Sequence, residues 1–364
     1  MSSFQAELTR LKTAGRYRAL RPRAGIDLSS NDYLGLSDHP DLRRAAVAVL
    51  QGGLVLGSGG SRLLSGHHDA HADLEAFAAR HFGVPRALYF ATGFQANYAL
   101  TTALIGRHDV AIFDALSHAS LRDGLHAVHG RAIKVRHNDL DGFEAALRRP
   151  RPARAFVLVE SAYSMDGDLA PVADLLRLCE RYDATLIVDE AHGTGVLGAT
   201  GKGLTEGLAS ERLITLHTCG KALGVAGALV CAGDDVIDYL INRARPFIYS
   251  TAPMPLQALL TQKALQIAAR EGWRRERLRA LQARVAARRP ALTPQSPIVP
   301  IRLGEDARAV AVAQALQEQG FDIRAIRPPT VPAGSARLRL SLNARLTDAD
   351  LDAFFDALDA TEAR

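Results

Sequence analysis

Residues 172–195 of the chain read VADLLRLCERYDATLIVDEAHGTG. Val172–Tyr182 carries apolar residues at helical spacing, among them Leu175 and Cys179, and this pattern predicts an amphipathic helix. Thr185–Asp189 is a continuous apolar run that ends in a carboxylate. Such a run is typical of a strand in a sheet that is covered on both faces. A helix that leads directly into a buried strand is the repeating unit of an α/β fold.

The same alternation extends on both sides of this stretch. We therefore predict an α/β fold with a mostly parallel sheet covered by helices. The other expected elements are strands at Ala87–Ala91, Val110–Phe113, Ala155–Glu160, Leu213–Thr218 and Ala228–Ala232, and a helix at Asp69–Phe82.

The C-terminal part has a different order of elements, which is typical of a small α+β unit. We predict an N-terminal segment (1–40), a large α/β domain (41–250), one or two linking helices (251–290) and a small α+β domain (291–364). Within the small domain we expect a strand at Ile298–Leu303, a helix at Ala307–Gln319, strands at Asp322–Ile326 and Arg337–Leu342, and a helix at Asp348–Leu358.

The composition excludes several classes of protein. The chain has 364 residues, 48% hydrophobic and 23% charged, with a net charge of +5, as in an ordinary globular protein. Its arginine clusters, Arg148–Arg151 and Arg274–Arg277, lack aromatic neighbours suited to stacking on bases, so we expect no nucleic-acid binding. No stretch reaches the ~20 apolar residues of a membrane span, and the N-terminus lacks a signal-peptide core. The three cysteines fit neither a disulfide framework nor a metal site. We expect a cytoplasmic protein that uses no membrane and no metal.

Lys221 lies in a segment of small residues, Thr218–Gly224, directly after an apolar run. A lysine at the end of a buried strand can lose its proton and attack an aldehyde. A solvated lysine in a glycine-rich turn is the alternative, and this segment alone does not decide between them.

Asp189 and His192 follow a predicted strand at the end where α/β sheets bind their ligands. A carboxylate at the rim of an apolar sheet needs a cationic or hydrogen-bonding partner. The pair could hold a heteroaromatic ligand, with Asp189 on a ring nitrogen and His192 on a ring oxygen. Equally, Asp189 could cap a helix and His192 could pack on it.

Two further segments follow predicted strands. His118 is either a packing residue at a helix start or a flat ring that stacks on a planar cofactor. Thr92 and Gly93 begin a predicted helix, whose free N–H groups suit a phosphate.

Arg337 and Arg339 share one face of a predicted strand, and we expect one on the surface and the other directed at a substrate carboxylate.

Taken together, these segments identify a family resemblance. The chain resembles the α-oxoamine synthases, pyridoxal-phosphate enzymes of the fold-type-I aminotransferase group, from about Ser29 to the C-terminus. Six motifs stand in the family's order: SNDYLGL (30–36), GSGGSR (57–62), SHAS (117–120), SMDGD (164–168), DEAHGTG (189–195) and GK (220–221). The resemblance implies the fold-type-I architecture, pyridoxal 5'-phosphate as cofactor, and a homodimer with shared active sites.

The resemblance also implies roles for individual residues. Lys221 would bind the cofactor covalently and later act as general base. Asp189 would pair with the ring nitrogen, and His192 would bond the ring oxygen. The other implied cofactor contacts are His118 on the ring face, Ser164 near the ring oxygen, the backbone at Thr92, Gly93 and Phe94, Thr218 on the phosphate, and Ser250 and Thr251 on the phosphate of the neighbouring subunit. The implied substrate contacts include His118, which could move a proton or steady the acyl carbonyl. Asn31 and Arg339 would hold the amino-acid carboxylate, Thr330 would contact the acyl group, and Arg16 would contribute from the N-terminal region.

Two stretches, His192–Gly195 and Ile326–Gly334, resemble the biotin-pathway branch of the family. That branch condenses L-alanine with a pimeloyl thioester of coenzyme A or acyl carrier protein. A branch that uses glycine or serine with another acyl thioester is the alternative, and a non-catalytic partner subunit is a more remote one.

The chain departs from the family in one place. The segment before Asn31 is short, with Arg23–Asp27 in place of a longer stretch that usually contains a strand pair. This leaves Arg18 and Arg21 as alternatives to Arg16 for the substrate contact.

Overall fold

The computed structural model describes residues 2–20, 22–151 and 153–363. The chain divides into two compact units. The larger unit comprises residues 34–164 and 168–275, and the smaller comprises residues 1–33, 165–167 and 276–364.

The strands in the described residues range from two to seven residues in length. In chain order they are β1 (Ile26–Asp27), β2 (Arg86–Phe90), β3 (Val110–Asp114), β4 (Arg131–Val135), β5 (Ala155–Glu160), β6 (Ala184–Asp189), β7 (Leu213–Thr218), β8 (Ala228–Ala232), β9 (Ile298–Gly304), β10 (Phe321–Asp322), β11 (Ala325–Ile326) and β12 (Ala336–Ser341).

The helices in the described residues alternate with these strands through much of the chain. They are α1 (Ser3–Thr13), α2 (Pro40–Gln51), α3 (Asp69–Phe82), α4 (Gly93–Leu104), α5 (Ala119–Ala127), α6 (Leu140–Leu147), α7 (Val172–Arg181), α8 (Asp234–Arg243), α9 (Arg245–Ile248), α10 (Pro255–Arg270), α11 (Trp273–Arg288), α12 (Asp306–Glu318) and α13 (Asp348–Glu362). Among the described residues, none of these helices combines the length and the apolar character needed to span a bilayer.

The larger unit is built on a seven-stranded sheet with the order β2-β8-β7-β6-β5-β3-β4. Strands β4, β3, β5, β6 and β7 pair in parallel, whereas β8 is antiparallel to both β7 and β2. The predicted α/β fold with a mostly parallel sheet is therefore confirmed.

Alternating residues of the central strands pack on opposite faces of this sheet, as the two-residue period of a strand requires. On β5, Phe156 and Leu158 join the core beneath α4 and α8. Val157 and Val159 join the opposite core, beneath α6 and α7. Because both faces are covered, these strands are mostly apolar, which is why their continuous apolar runs could be recognised in the sequence.

Strand β4 was missed by the sequence analysis. It is an edge strand beside β3, and four of its five residues are exposed or half-buried. Arg131 and Lys134 lie on its exposed positions, so the strand has no apolar run that would reveal it.

The smaller unit contains a three-stranded antiparallel sheet with the order β11-β12-β9. The single strand expected at Asp322–Ile326 is wrong. The chain instead forms β10, which pairs in parallel with β1, and then β11, which pairs with β12. The short segment Arg23–Asp27 thus supplies β1, a partner that local sequence patterns could not foresee.

Candidate active site

Polar residues collect where the parallel strands of the larger unit end. Asp114, Glu160, Asp189 and Thr218 are the last residues of β3, β5, β6 and β7. Glu160 and Asp189 are direct neighbours in the register of the sheet. The carboxyl edge of a parallel sheet is where α/β proteins bind their ligands, so these residues mark the candidate site.

Lys221 lies in the loop between β7 and β8, and its Nζ is 2.7 Å from His192 Nε2. Backbone hydrogen bonds close this loop, from Cys219 N to Gly227 O (2.8 Å) and from Gly224 N to Lys221 O (2.9 Å). Gly224 has a φ of +66°, and a Cβ there would lie 2.3 Å from the backbone of Ser37, so the turn requires glycine. The loop that holds the lysine is thus closely packed and not a loose surface turn.

Asp189 is buried with 3% of its surface exposed. Its Oδ1 accepts a hydrogen bond from the Ala191 amide (2.9 Å), and its Oδ2 accepts one from Asn97 Nδ2 (2.6 Å). Among the described residues Asp189 forms no ion pair within 4.0 Å. A buried carboxylate with two neutral donors and no cation is well suited to a cationic ligand.

Asn97 was not singled out by the sequence analysis. It is four residues after Gly93 on α4, so both lie on the same face of that helix. Its Nδ2 also lies 3.0 Å from Ser120 Oγ. An asparagine on the buried face of a helix needs a polar partner, and this is the signal that could have identified it.

His118 is the N-cap residue of α5, and its Nδ1 accepts a hydrogen bond from the Ser120 amide. The same nitrogen is 2.7 Å from Ser120 Oγ. A continuous chain of contacts therefore runs from His118 through Ser120 and Asn97 to Asp189. The expected position of His118 at a helix start is confirmed, while stacking of its ring on a cofactor stays a prediction.

Helix α4 begins at Gly93, with Thr92 as its N-cap accepting from the Gln95 amide (3.0 Å). The first amides of a helix, here those of Gly93 and Phe94, have no acceptor within it. A Cβ at Gly93 would lie 3.1 Å from Thr218 Oγ1, so these two residues are neighbours. Free amides, a hydroxyl and the positive helix end together suit a phosphate group.

Three further predicted cofactor contacts also belong to the larger unit. Ser164 is half-buried in the segment that follows β5. Ser250 is half-buried and Thr251 is exposed, between α9 and α10. The amide of the next residue, Ala252, donates to Gly60 O and joins this segment to the glycine-rich motif. Their predicted role toward a neighbouring subunit stays a prediction.

Asn31 and Arg339, the residues expected to hold a carboxylate, meet in the smaller unit. Arg339 Nη1 donates to Asn31 Oδ1 (3.0 Å), and Nη2 donates to Tyr33 Oη (3.1 Å). The expectation that one of the two strand arginines lies on the surface is wrong, because both are buried. Arg337 instead forms an ion pair with Asp166, and every residue of β12, the middle strand of its sheet, is buried.

The N-terminal arginines differ in their partners. Arg16 forms an ion pair with Asp306 at 3.2 Å. Arg18 Nη2 donates to the hydroxyl of Thr330 at 3.1 Å, so it lies beside the residue expected to contact the acyl group. Arg21 is outside the described residues. Which of these arginines contacts the substrate stays a prediction.

A cluster of charged side chains links two segments that carry candidate site residues. His137 lies between Asp114 (Nδ1 to Oδ1, 3.0 Å) and Asp168 (Nε2 to Oδ2, 2.6 Å). Burial lowers the pKa of His137, but hydrogen bonds and charge from the two carboxylates outweigh it and raise that pKa to about 10. The imidazolium therefore links two segments of the chain. One follows β3 and leads to His118, and the other carries Ser164.

His137→Gln is expected to lower the free energy of unfolding by about 2 kcal/mol below pH 6.5, because it removes a charged donor to two carboxylates. The pKa of His137 is raised on folding, so this contribution is complete below pH 6.5 and is lost as the pH rises through about 10. Urea unfolding of wild type and variant at pH 6 and pH 10 measures the difference. The exposed His129→Gln serves as control, and an equal effect of His137→Gln at both pH values contradicts the assignment.

The family model described as aminotransferase class I and II matches residues 23–358. A relative from Nitrosomonas europaea named 8-amino-7-oxononanoate synthase is 47% identical over 341 residues, which is 90% of this chain and 87% of that protein.

Two solved structures are similar in fold and sequence. A serine palmitoyltransferase from S. paucimobilis, bound to a pyridoxal phosphate–myriocin adduct, superposes with a TM-score of 0.90 at 27% identity, covering 100% of this chain and 97% of that one. An 8-amino-7-oxononanoate synthase from Francisella tularensis has a TM-score of 0.80 at 28% identity, covering 93% and 98% respectively.

Proposed function

The chain belongs to the aminotransferase class I and II family and is a pyridoxal-phosphate-dependent enzyme of the acyltransferase type, and from this premise we propose its reaction. It condenses L-alanine with a pimeloyl thioester, releasing carbon dioxide and the free thiol and forming 8-amino-7-oxononanoate for biotin biosynthesis. The observation that carries the proposal is the buried Asp189 carboxylate, without an ion pair among the described residues, at the same sheet edge as Lys221.

The residues present fit the cofactor. Pyridoxal phosphate withdraws electrons from the bonds at the carbon of a bound amino acid and so makes them breakable. Asp189 offers a negative charge to a protonated ring nitrogen and keeps it protonated. The α4 amides and Thr218 offer donors to a phosphate, and Lys221 offers an amine to an aldehyde.

Lys221 is also the candidate general base. A base must lie within hydrogen-bond reach of its partner and must release and accept a proton near neutral pH. Lys221 is half-buried, and its Nζ lies 2.7 Å from the His192 Nε2 atom, within hydrogen-bond reach. We assign it removal of the α-proton of the amino acid, with His192 fixing the position of the amine.

The substrate contacts are assigned to the smaller unit. Arg339 and Asn31 would hold the carboxylate of alanine, because a guanidinium beside an amide is a good partner for that group. Thr330, with Arg18 beside it, would contact the acyl substrate. We further propose a cytoplasmic homodimer in which Ser250 and Thr251 reach the phosphate bound by the neighbouring subunit.

The test is a substrate matrix with the purified, cofactor-loaded protein. Alanine, glycine and serine are each paired with pimeloyl-, acetyl- and succinyl-coenzyme A, and pimeloyl-acyl carrier protein is included. We expect kcat/KM to be highest for alanine with a pimeloyl thioester, about tenfold or more above glycine, since one methyl group is typically worth that much in a fitted pocket. A preference for glycine or serine with a shorter thioester contradicts the proposal. A protein that stays colourless with pyridoxal phosphate contradicts catalysis by this site altogether.

A further inference from the structure

Asn97 is a buried polar residue to which the proposed reaction gives no role. It lies on α4 with 2% of its surface exposed. Its Nδ2 makes two hydrogen bonds, to Asp189 Oδ2 (2.6 Å) and to Ser120 Oγ (3.0 Å). Its Oδ1 has no hydrogen-bond partner among the described residues. A buried acceptor without a partner destabilises a fold, so an asparagine at this position points to a need for its two N–H groups.

The chemistry of the partners fixes the direction of these hydrogen bonds. A carboxylate oxygen can only accept, so the Asn97 atom that faces Asp189 is the nitrogen and not the oxygen. That nitrogen has two hydrogens and cannot accept, so its second hydrogen is donated to Ser120 Oγ. The hydroxyl hydrogen of Ser120 is therefore left for a different acceptor.

That acceptor is Nδ1 of His118, which lies 2.7 Å from Ser120 Oγ. The same nitrogen accepts the backbone N–H of Ser120 (3.2 Å), so it carries no proton. A neutral imidazole whose Nδ1 is unprotonated has its proton on Nε2. The His118 ring is thus held as a neutral donor at Nε2, and its orientation is set by the two contacts at Nδ1.

We propose that Asn97 is a positioning residue of the cofactor site, which fixes the Asp189 carboxylate with one N–H group and, through Ser120, the His118 ring with the other. The proposal rests on the proposed function in that this sheet edge binds pyridoxal phosphate. Asp189 is the residue expected at the ring nitrogen of the cofactor, and His118 is the residue expected at its ring face. One amide on α4 then sets the positions of two residues that belong to different elements, β6 and the start of α5.

The neutrality of Asn97 suits this role. A lysine or an arginine at the same place would also hold the Asp189 carboxylate, but its charge would compete with that of a protonated ring nitrogen. The amide donates a hydrogen bond and leaves Asp189 without an ion pair within 4.0 Å among the described residues. The negative charge therefore stays available to the cofactor.

The first experiment is a double-mutant cycle of Asn97→Leu and Ser120→Ala. Cofactor affinity is measured by absorbance titration of the apoprotein with pyridoxal phosphate, and thermal unfolding of the apoprotein is recorded alongside. We expect binding to be about tenfold weaker in Asn97→Leu, which loses both hydrogen bonds, and about fivefold weaker in Ser120→Ala, which loses only the branch to His118. Because Ser120 is oriented by Asn97, the double variant should bind within about twofold of Asn97→Leu.

Ser296→Ala is the matched control. Ser296 is buried in the smaller unit, and its Oγ accepts the backbone N–H of Ile298 (3.3 Å). Its replacement should lower the unfolding temperature and leave cofactor affinity within about twofold of wild type. Equal losses of affinity in Ser296→Ala and Ser120→Ala would mean general destabilisation and overturn the proposal.

Two other results of the cycle also overturn it. One is wild-type affinity in either single variant, and the other is a double variant in which the two losses multiply. If Asn97→Leu does not fold, Asn97→Ala replaces it in the cycle, with the same expected loss and the same contrary results.

The second experiment tests the direction of the hydrogen bonds without the cofactor. Nitrogen-15 NMR of apoprotein with labelled histidine distinguishes protonated from unprotonated ring nitrogens at about pH 8, where an ordinary histidine is neutral. The His118→Gln variant identifies the signals of His118. We expect a proton on Nε2 and none on Nδ1, and a protonated Nδ1 overturns the proposal. Neither experiment depends on the acyl substrate, so failure here is distinct from failure of the substrate matrix.

Discussion

Lys221→Ala protein is expected to lose turnover by at least about 1,000-fold and to form no covalent link to pyridoxal phosphate. The size of the loss follows from two functions removed together, a covalent anchor and a general base. The structure adds a reason why no other group substitutes. A backbone hydrogen bond from Cys219 N to Gly227 O closes the loop that holds the lysine. The neighbouring side chain, His192, lies 2.7 Å from the lysine amine and has no amine of its own that could replace it.

Borohydride reduction followed by peptide mass spectrometry measures the link directly. Wild-type protein should retain the cofactor mass on the peptide that contains Lys221, and the variant should retain none. Lys134→Ala, on the exposed edge strand β4, is the control and should behave as wild type. Turnover close to wild type, or cofactor retained on the Lys221→Ala chain, contradicts the assignment.

Asp189→Asn is expected to bind the cofactor and to reduce kcat by about 100-fold or more, which is typical when a preorganised charge is removed from an active site. The asparagine has the same shape and can still bond Asn97 or the Ala191 amide, so the fold should persist. What it lacks is the negative charge that keeps a ring nitrogen protonated.

Steady-state kinetics with alanine and pimeloyl-coenzyme A, together with cofactor titration, separate the two effects. Asp123→Asn, on the exposed surface of α5, is the matched change and should leave kcat unchanged. A kcat near wild type in Asp189→Asn removes the electrostatic role. A complete loss of cofactor binding removes the claim that the charge acts mainly on catalysis.

The sequence predicted those parts of the fold that local patterns determine. Strands β5, β7 and β8 have the predicted bounds because each is buried on both faces and its residues are mostly apolar. Strand β4 and the β10–β11 pair were not predicted correctly. Strand β4 is a largely exposed edge strand without an apolar run, and β10 gains its pairing from β1, which is distant in the chain.

The candidate site was likewise predicted from the sequence only in part. Lys221, Asp189 and His192 could be singled out because each follows a recognisable strand, and the structure places them at one edge of the sheet. Asn97 and Glu160 sit inside a helix and a strand, so their partners are visible only once the elements are packed. The two-residue period of a strand likewise predicted that Arg337 and Arg339 share one face, but it could not predict that this face is buried.

The reversed strand β8 has a consequence for synthesis of the chain on the ribosome. Strand β2 is the first strand of the large sheet to be made, yet it lies at the edge and pairs there with β8. The loop that holds Lys221 joins β7 to the same β8. Neither can reach its final state before residue 232 has emerged, since the pairing is remote in sequence and such pairings form late. A nascent or truncated chain that ends earlier therefore displays no assembled lysine loop, and capture of the cofactor marks a chain whose seven-stranded sheet is complete.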